Sequence, residues 1–171
     1  MFNGIQSEKF TGLTAAYVTD LGKEMEGYRA VYARNQHRIY ALAFWMTDNE
    51  LAAEQLMERA FIRVFSICDS PSQEMIDCAL LEEIREQVPV GELTLEQDTC
   101  REVLSVRHNV KRVDLERAVV KLPPTERLIY LLHDGEGYNH ERIAFTLGIS
   151  QDDSRRGLHQ ARLGLRTLLA G

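Results

Sequence analysis

The stretch Tyr138–Arg166, YNHERIAFTLGISQDDSRRGLHQARLGLR, constrains the fold more than any other part of the chain. Its spacing predicts a short helix from about Asn139 to Leu147, with Asn139 as N-cap accepting a backbone N–H bond. Ile143, Ala144 and Leu147 fall at i, i+1 and i+4 and share one apolar face. Gly148 supplies the left-handed residue that ends a helix, and Ile149 plugs the corner. Ser150 with Asp153 three residues on is a capping box for a second helix. In that helix Leu158, Ala161, Leu165 and Leu168 form a core stripe, while Arg155, Arg156, His159 and Arg162 lie on other faces. An apolar side with hydrogen-bond donors opposite is the layout of a helix that enters a DNA major groove. The same pattern fits an ordinary α-hairpin with solvated arginines, since helix–glycine–helix units are common.

The charge distribution bears on that choice. The chain of 171 residues carries a net charge of −6, which argues against indiscriminate nucleic-acid binding. The acidity is concentrated between Ile67 and Val113, where 10 Asp/Glu face 5 Lys/Arg, whereas Asp114–Gly171 is neutral. From Ser150 onward four arginines stand against Asp152 and Asp153. No apolar run is long enough for a membrane span, and the start MFNGIQSEKF lacks the pattern of a secretory signal. Cys68, Cys78 and Cys100 are an odd set without C-x-x-C spacing, which fits reduced thiols in a cytoplasm.

Upstream, the chain reads as helices throughout. Residues 1–25 are weakly patterned and are expected to form a peripheral arm, with Gly4, Gly12 and Gly22 as breaks in it. From Glu26 to Met46, Tyr28, Val31, Tyr32, Ile39, Leu42, Ala43 and Met46 recur at helical steps. Thr47 with Glu50 reads as a capping box opening a second helix with the apolar set Leu51, Leu56, Ala60, Phe61 and Val64. A join this short makes the two helices antiparallel neighbours. A third helix, about Gln73–Gln87, buries Met75, Ile76, Leu80, Leu81 and Ile84 and exposes Glu74, Asp77, Glu82, Glu83 and Glu86. Residues 89–113 read as an acidic linker, with a short helix around Glu96–Val106. Leu115–Lys121 is helical, Pro123-Pro124 is a stop, and Thr125 begins a further helix burying Leu128, Leu131 and Leu132. The expected architecture is all-α: two small helical domains, 26–88 and 114–171, following the arm and joined by the linker.

The segment from Leu115 to Arg166 resembles region 4 of bacterial extracytoplasmic-function sigma factors, with LPPTER, HDGEGYNHERIA and LHQARLGLR in matching order and spacing. Separately, YARNQHRIYALAFWMTDNELAAEQLMERAFIRVF resembles region 2 of the same family, a helical hairpin that docks on the polymerase clamp. The resemblance implies a cytoplasmic protein that binds core RNA polymerase and directs promoter-specific initiation. It places Gln151, Ser154, Arg155 and Arg156 at the bases of the −35 element and His159 and Arg162 at phosphates. It places Glu54, Gln55, Glu58 and Arg59 against polymerase. An anti-sigma factor is a further partner the family suggests.

Two departures stand out. Where relatives carry a basic, Trp-containing helix that holds the melted strand, this chain reads SQEMIDCALLEEIREQ, with five carboxylates, one arginine and no aromatic. Strand capture needs stacking aromatics and cations, and each close carboxylate–phosphate pair costs roughly 1 kcal/mol even in water. In the last helix, Gly157, Gln160 and Gly164 stand where basic or polar residues are common. A working sigma factor with weak DNA contacts is therefore one expectation. A degenerate sigma-like module that binds polymerase or a regulator without melting DNA is the other. Catalysis is not expected. His133-Asp134 and His140-Glu141 flank one turn without a third ligand at suitable spacing, so neither a metal nor a cofactor is expected.

Overall fold

The computed structural model describes the backbone of residues 5–94 and 111–170, and side chains of 25–94 and 111–170. Every element of secondary structure among the described residues is helical. Helix α1 runs unbroken over Ile5–Thr47, so Gly12 and Gly22 do not interrupt it as expected. A glycine costs about 1 kcal/mol in a helix, too little to stop one this long. Helices α2 (Glu50–Phe65) and α3 (Gln73–Gln87) fold back on α1. The join differs in detail from the expected capping box. Thr47 ends α1, its Oγ1 donating to Ala43 O at 2.9 Å. Asp48 takes φ 51° and Asn49 caps α2, accepting from Ala52 N at 2.9 Å. With the cap moved two residues on, the inward stripe of α2 is Ala53, Leu56, Ala60, Phe61 and Val64, and Leu51 is 64% exposed rather than buried.

Helix α3 also departs from its expected polarity. Asp77 and Glu83 are each only 4% exposed. Such burial is tolerable only with charged partners and full hydrogen bonding. Glu83 accepts from Arg63 Nε at 2.7 Å, and the same guanidinium reaches Glu82 and Glu86 at 3.0 and 3.1 Å. The outward acidity of α3 is thus Glu74, Glu82 and Glu86, the last two already engaged by Arg63.

The helix expected around Glu96–Val106 lies outside the described residues. The second half comprises α4 (Arg112–Val119), α5 (Pro124–Tyr130), α6 (His140–Leu147) and α7 (Gln151–Ala170). Pro124 starts α5 at a position where its missing N–H is no loss. Helix α5 runs on into a π-helical turn, Leu131–Gly135. Leu131 is only partly buried there, and Leu168 near the C-terminus is 43% exposed.

The halves share one core. Ile39, Leu42, Met46, Leu56, Ile76, Leu80 and Ile84 form a continuous buried cluster with Leu128, Ile129, Leu132, Ile143 and Leu147. The sequence motif Thr125-Glu126-Arg127 explains part of the join. Thr125 Oγ1 accepts from Gly91 N at 3.1 Å, and Glu126 accepts from Thr94 N at 2.7 Å, fastening the start of the linker to α5. Arg127 donates to Leu122 O at 2.8 Å, to Val120 O, and to Trp45 O and Met46 O at 3.3 and 3.2 Å. One guanidinium therefore satisfies the orphan carbonyls that two helix ends would otherwise leave unmet.

Candidate nucleic-acid interface

The helix-turn-helix is built as its residues require. Asn139 caps α6, accepting from Arg142 N at 2.8 Å. Gly148 sits at φ 67°, ψ 32°, a left-handed conformation that costs most residues but not glycine. Ile149 packs against the core. Ser150 Oγ accepts from Asp153 N at 3.0 Å and donates to the Asp153 carboxylate at 2.7 Å, so the box at the start of α7 is real. That bond from Ser150, together with Arg156, keeps the Asp153 carboxyl below its usual pKa.

Helix α7 buries Gly157, Leu158, Ala161 and Leu165 and turns Gln151, Arg155, Arg156, His159 and Arg162 outward. Ser154 takes a different part from the one expected of it. It is fully buried, and its Oγ lies 3.0 Å from His140 Nδ1, so it ties α7 to α6 instead of facing a groove. At i+3 from Gln151 but i−4 from Leu158 it falls on the inward stripe, a placement its polarity disguises. Gly157 and Gly164 are likewise packing positions. A Cβ at Gly157 would lie 2.5 Å from Ile129 Cδ1 and 2.8 Å from Leu93 Cδ2, and one at Gly164 3.0 Å from Leu122 Cδ2. No basic side chain could stand at 157 without moving the core.

The exposed arginines are not idle. Arg155 donates to Asp152 at 2.8 Å and to Gln151 at 3.3 Å; Arg156 pairs with Asp153; Arg162 reaches Asp134 at 2.7 and 3.1 Å. Each carboxylate offsets part of the positive potential a phosphate would meet. His140 stacks on His133 with centroids 4.8 Å apart. Among the described residues no group of three or more His, Cys, Asp or Glu is placed to hold a metal, and no helix is long and apolar enough to cross a membrane.

On α2, Glu54, Gln55, Glu58 and Arg59 are all exposed. The structure adds Leu51 and Ile62, 64% and 63% exposed, at the two ends of the same face. Their spacing from Gln55 and Glu58 (i, i+4, i+7, i+11) is the signal that could have separated them from the inward stripe.

Residues 112–165 match the family model described as Sigma-70, region 4. The chain is also 27% identical over 180 residues to the ECF RNA polymerase sigma factor SigE of Mycolicibacterium smegmatis (strain ATCC 700084 / mc(2)155). That alignment covers 96% of this chain and 70% of the relative.

Proposed function

We propose, from the premise that this chain is a sigma factor of the extracytoplasmic-function type acting in transcription initiation, that it binds core RNA polymerase through α2 and reads −35 DNA through α7. The observation that carries the reading is the outward row Gln151, Arg155, Arg156, His159 and Arg162 on a helix fixed behind a left-handed glycine turn. Arg155 or Arg156 can fork to guanine O6 and N7 and Gln151 can pair with adenine, while His159 and Arg162 are spaced for phosphates. The α2 face of Leu51, Glu54, Gln55, Glu58, Arg59 and Ile62 suits polymerase: apolar at both ends, charged between.

The carboxylates beside the arginines make DNA binding weak by itself, so polymerase must supply avidity. If about four phosphates are contacted, the log–log salt slope of the full chain on promoter duplex is about −3.6.

A second reading, a polymerase- or regulator-binding module without melting, is favoured by one observation: α3 has no aromatic side chain and its outer face is acidic. In vitro transcription with core polymerase separates the two. Transcripts from a linear, unmelted promoter exclude the second reading, and polymerase binding without an open complex excludes the first.

A further inference from the structure

Two aspartates open α7, and their surroundings differ. Asp153 is engaged within the chain: Ser150 Oγ donates to its Oδ2 at 2.7 Å, Arg156 holds its Oδ1, and its side chain is 34% exposed. It already supplies the cap and the negative charge that a helix start favours. Asp152 is far more open. Its side chain is 82% exposed, Arg155 Nη1 donates to its Oδ1 at 2.8 Å, and among the described residues no hydrogen bond is made to its Oδ2. Arg155 also donates from Nη2 to Gln151 Oε1 at 3.3 Å, so one guanidinium sets both side chains at the helix tip. The couple Asp152–Arg155 thus presents a carboxylate oxygen and further N–H groups side by side to solvent.

A carboxylate at this place weakens DNA binding unless a base answers it. It repels phosphates, and the first turn of a helix in the major groove is the part that reaches base edges. Of the groups exposed there, only the amines of cytosine (N4) and adenine (N6) can donate to it. Cytosine is the better match. Across the pair its amine is followed by guanine O6 and N7, so a C·G pair presents donor, acceptor, acceptor in a row. Asp152 followed by Arg155 presents acceptor, donor, donor. The adenine amine instead lies between two acceptors, its own N7 and thymine O4. Arg155 stands on one side of Asp152 only, so one of those acceptors would meet the carboxylate with no donor between.

We infer that Asp152 is a specificity-determining residue of α7. With Arg155 it selects a single C·G base pair, the carboxylate accepting from cytosine N4 and the guanidinium donating to guanine O6 and N7. The inference rests on the DNA reading proposed above and names the base pair preferred at one position of that site. The couple is assembled before DNA arrives, so neither side chain has to be ordered on binding. It supplies selectivity rather than strength: the carboxylate lowers affinity for every duplex, and lowers it least where a cytosine amine meets it.

The test is selection from a pool of duplexes with a randomised segment, by the full chain alone and with core polymerase, followed by sequencing of the bound fraction. The parent chain should enrich one position for C·G about fivefold or more over each other base pair. Asp152→Asn should lose that preference and move the same position toward A·T, because an amide pairs with adenine N6 and N7. The other positions should stay as they were, and Asp153→Asn should keep the C·G pair. A parent motif lacking such a pair, or one that Asp152→Asn leaves unchanged while affinity rises equally for all sequences, would overturn the inference. Asp152 would then only offset the charge of Arg155. Equal loss in both variants would also overturn it, reducing Asp152 to a structural part of the helix tip. A parent chain that enriches no motif, alone or with polymerase, would instead sink DNA reading by α7 itself, and the base preference with it.

Discussion

Arg162, midway along α7, grips Asp134 in the π-helical turn with two prongs, Nη2 to Oδ1 at 2.7 Å and Nε to Oδ2 at 3.1 Å. The hydrogen bond from Arg162 is the main reason the Asp134 carboxyl stays below its usual pKa. A cation so held is only partly available to a phosphate. Asp134→Asn should free it and steepen the log–log salt slope of DNA binding by about 0.9, the share of one more neutralised phosphate. Titration of the full chain on promoter duplex across a salt series is the check. An unchanged slope would remove Arg162 from the DNA contact.

Gly157→Ala pits two effects of known size against each other. Alanine gains about 1 kcal/mol in helix propensity, while forcing a methyl against Ile129 and Leu93 costs about 1–3 kcal/mol in overpacking. The atoms in the way, Ile129 Cδ1 at 2.5 Å and Leu93 Cδ2 at 2.8 Å, are side-chain ends in a packed core, which puts this site near the middle of that range, about 2 kcal/mol. A net loss of about 1 kcal/mol is expected in urea unfolding, and a stabilised variant would contradict the packing described.

Arg127→Lys should weaken the join between α1 and α5. A lysine amine has three donors on one atom and cannot reach the carbonyls of Trp45, Met46, Val120 and Leu122 together. Partial burial pulls the Arg127 guanidinium below its usual pKa. A loss of about 1–3 kcal/mol is expected, measured by chemical denaturation, with equal stability as the refuting result.

Acid should act through His140. Burial first, then the neighbouring His133, Arg155 and Arg162, hold its pKa below the ordinary value. The unfolded chain therefore takes up a proton that the folded chain resists. Stability from this group is complete above about pH 6.5 and falls as pH drops through that value toward the lower folded pKa. Buried Glu126 acts oppositely: its raised pKa means acidification relieves a penalty, in a window beginning near the carboxylate range. Comparison of His140→Gln with the parent isolates the histidine. The gap in melting temperature between about pH 7.5 and about pH 5.5 should shrink in the variant; an unchanged gap would assign the acid response elsewhere.

Leu51→Ser with Ile62→Ser should lower affinity for core polymerase about tenfold or more, on the order of 1–2 kcal/mol of apolar contact per residue. Both side chains are more than half exposed, so the melting temperature of the free chain should hardly move. Undiminished binding in a pull-down titration would shift the polymerase contact off α2.

Much of this was legible in the residues. The caps at Asn139 and Ser150, the left-handed glycine and the inward Leu158-Ala161-Leu165 stripe are local features, set by chemistry within a turn or two. The outward arginines of α7 and the exposed quartet Glu54, Gln55, Glu58 and Arg59 follow from the same periodicity. Ser154, Gly157 and Leu51 were harder. A serine on an inward stripe, a glycine in a close approach and a leucine on an outward face all contradict their type; spacing alone could have placed Ser154 and Leu51, whereas only the side chains of Ile129 and Leu93 show why position 157 is a glycine.

What the sequence by itself determined, then, is the set of helices and the helix-turn-helix, because hydrogen-bonded caps and 3.6-residue periodicity act over short range. Only the tertiary structure decided how those helices meet. Asp77 and Tyr138 are 61 residues apart, and no local pattern couples them. Charge, not spacing, placed Asp77 among the exposed carboxylates, although it stands three and four residues before Leu80 and Leu81 on the inward side. The fold buries it because Arg38 from α1, Tyr138 from the turn before α6 and Arg142 from α6 arrive to share its charge.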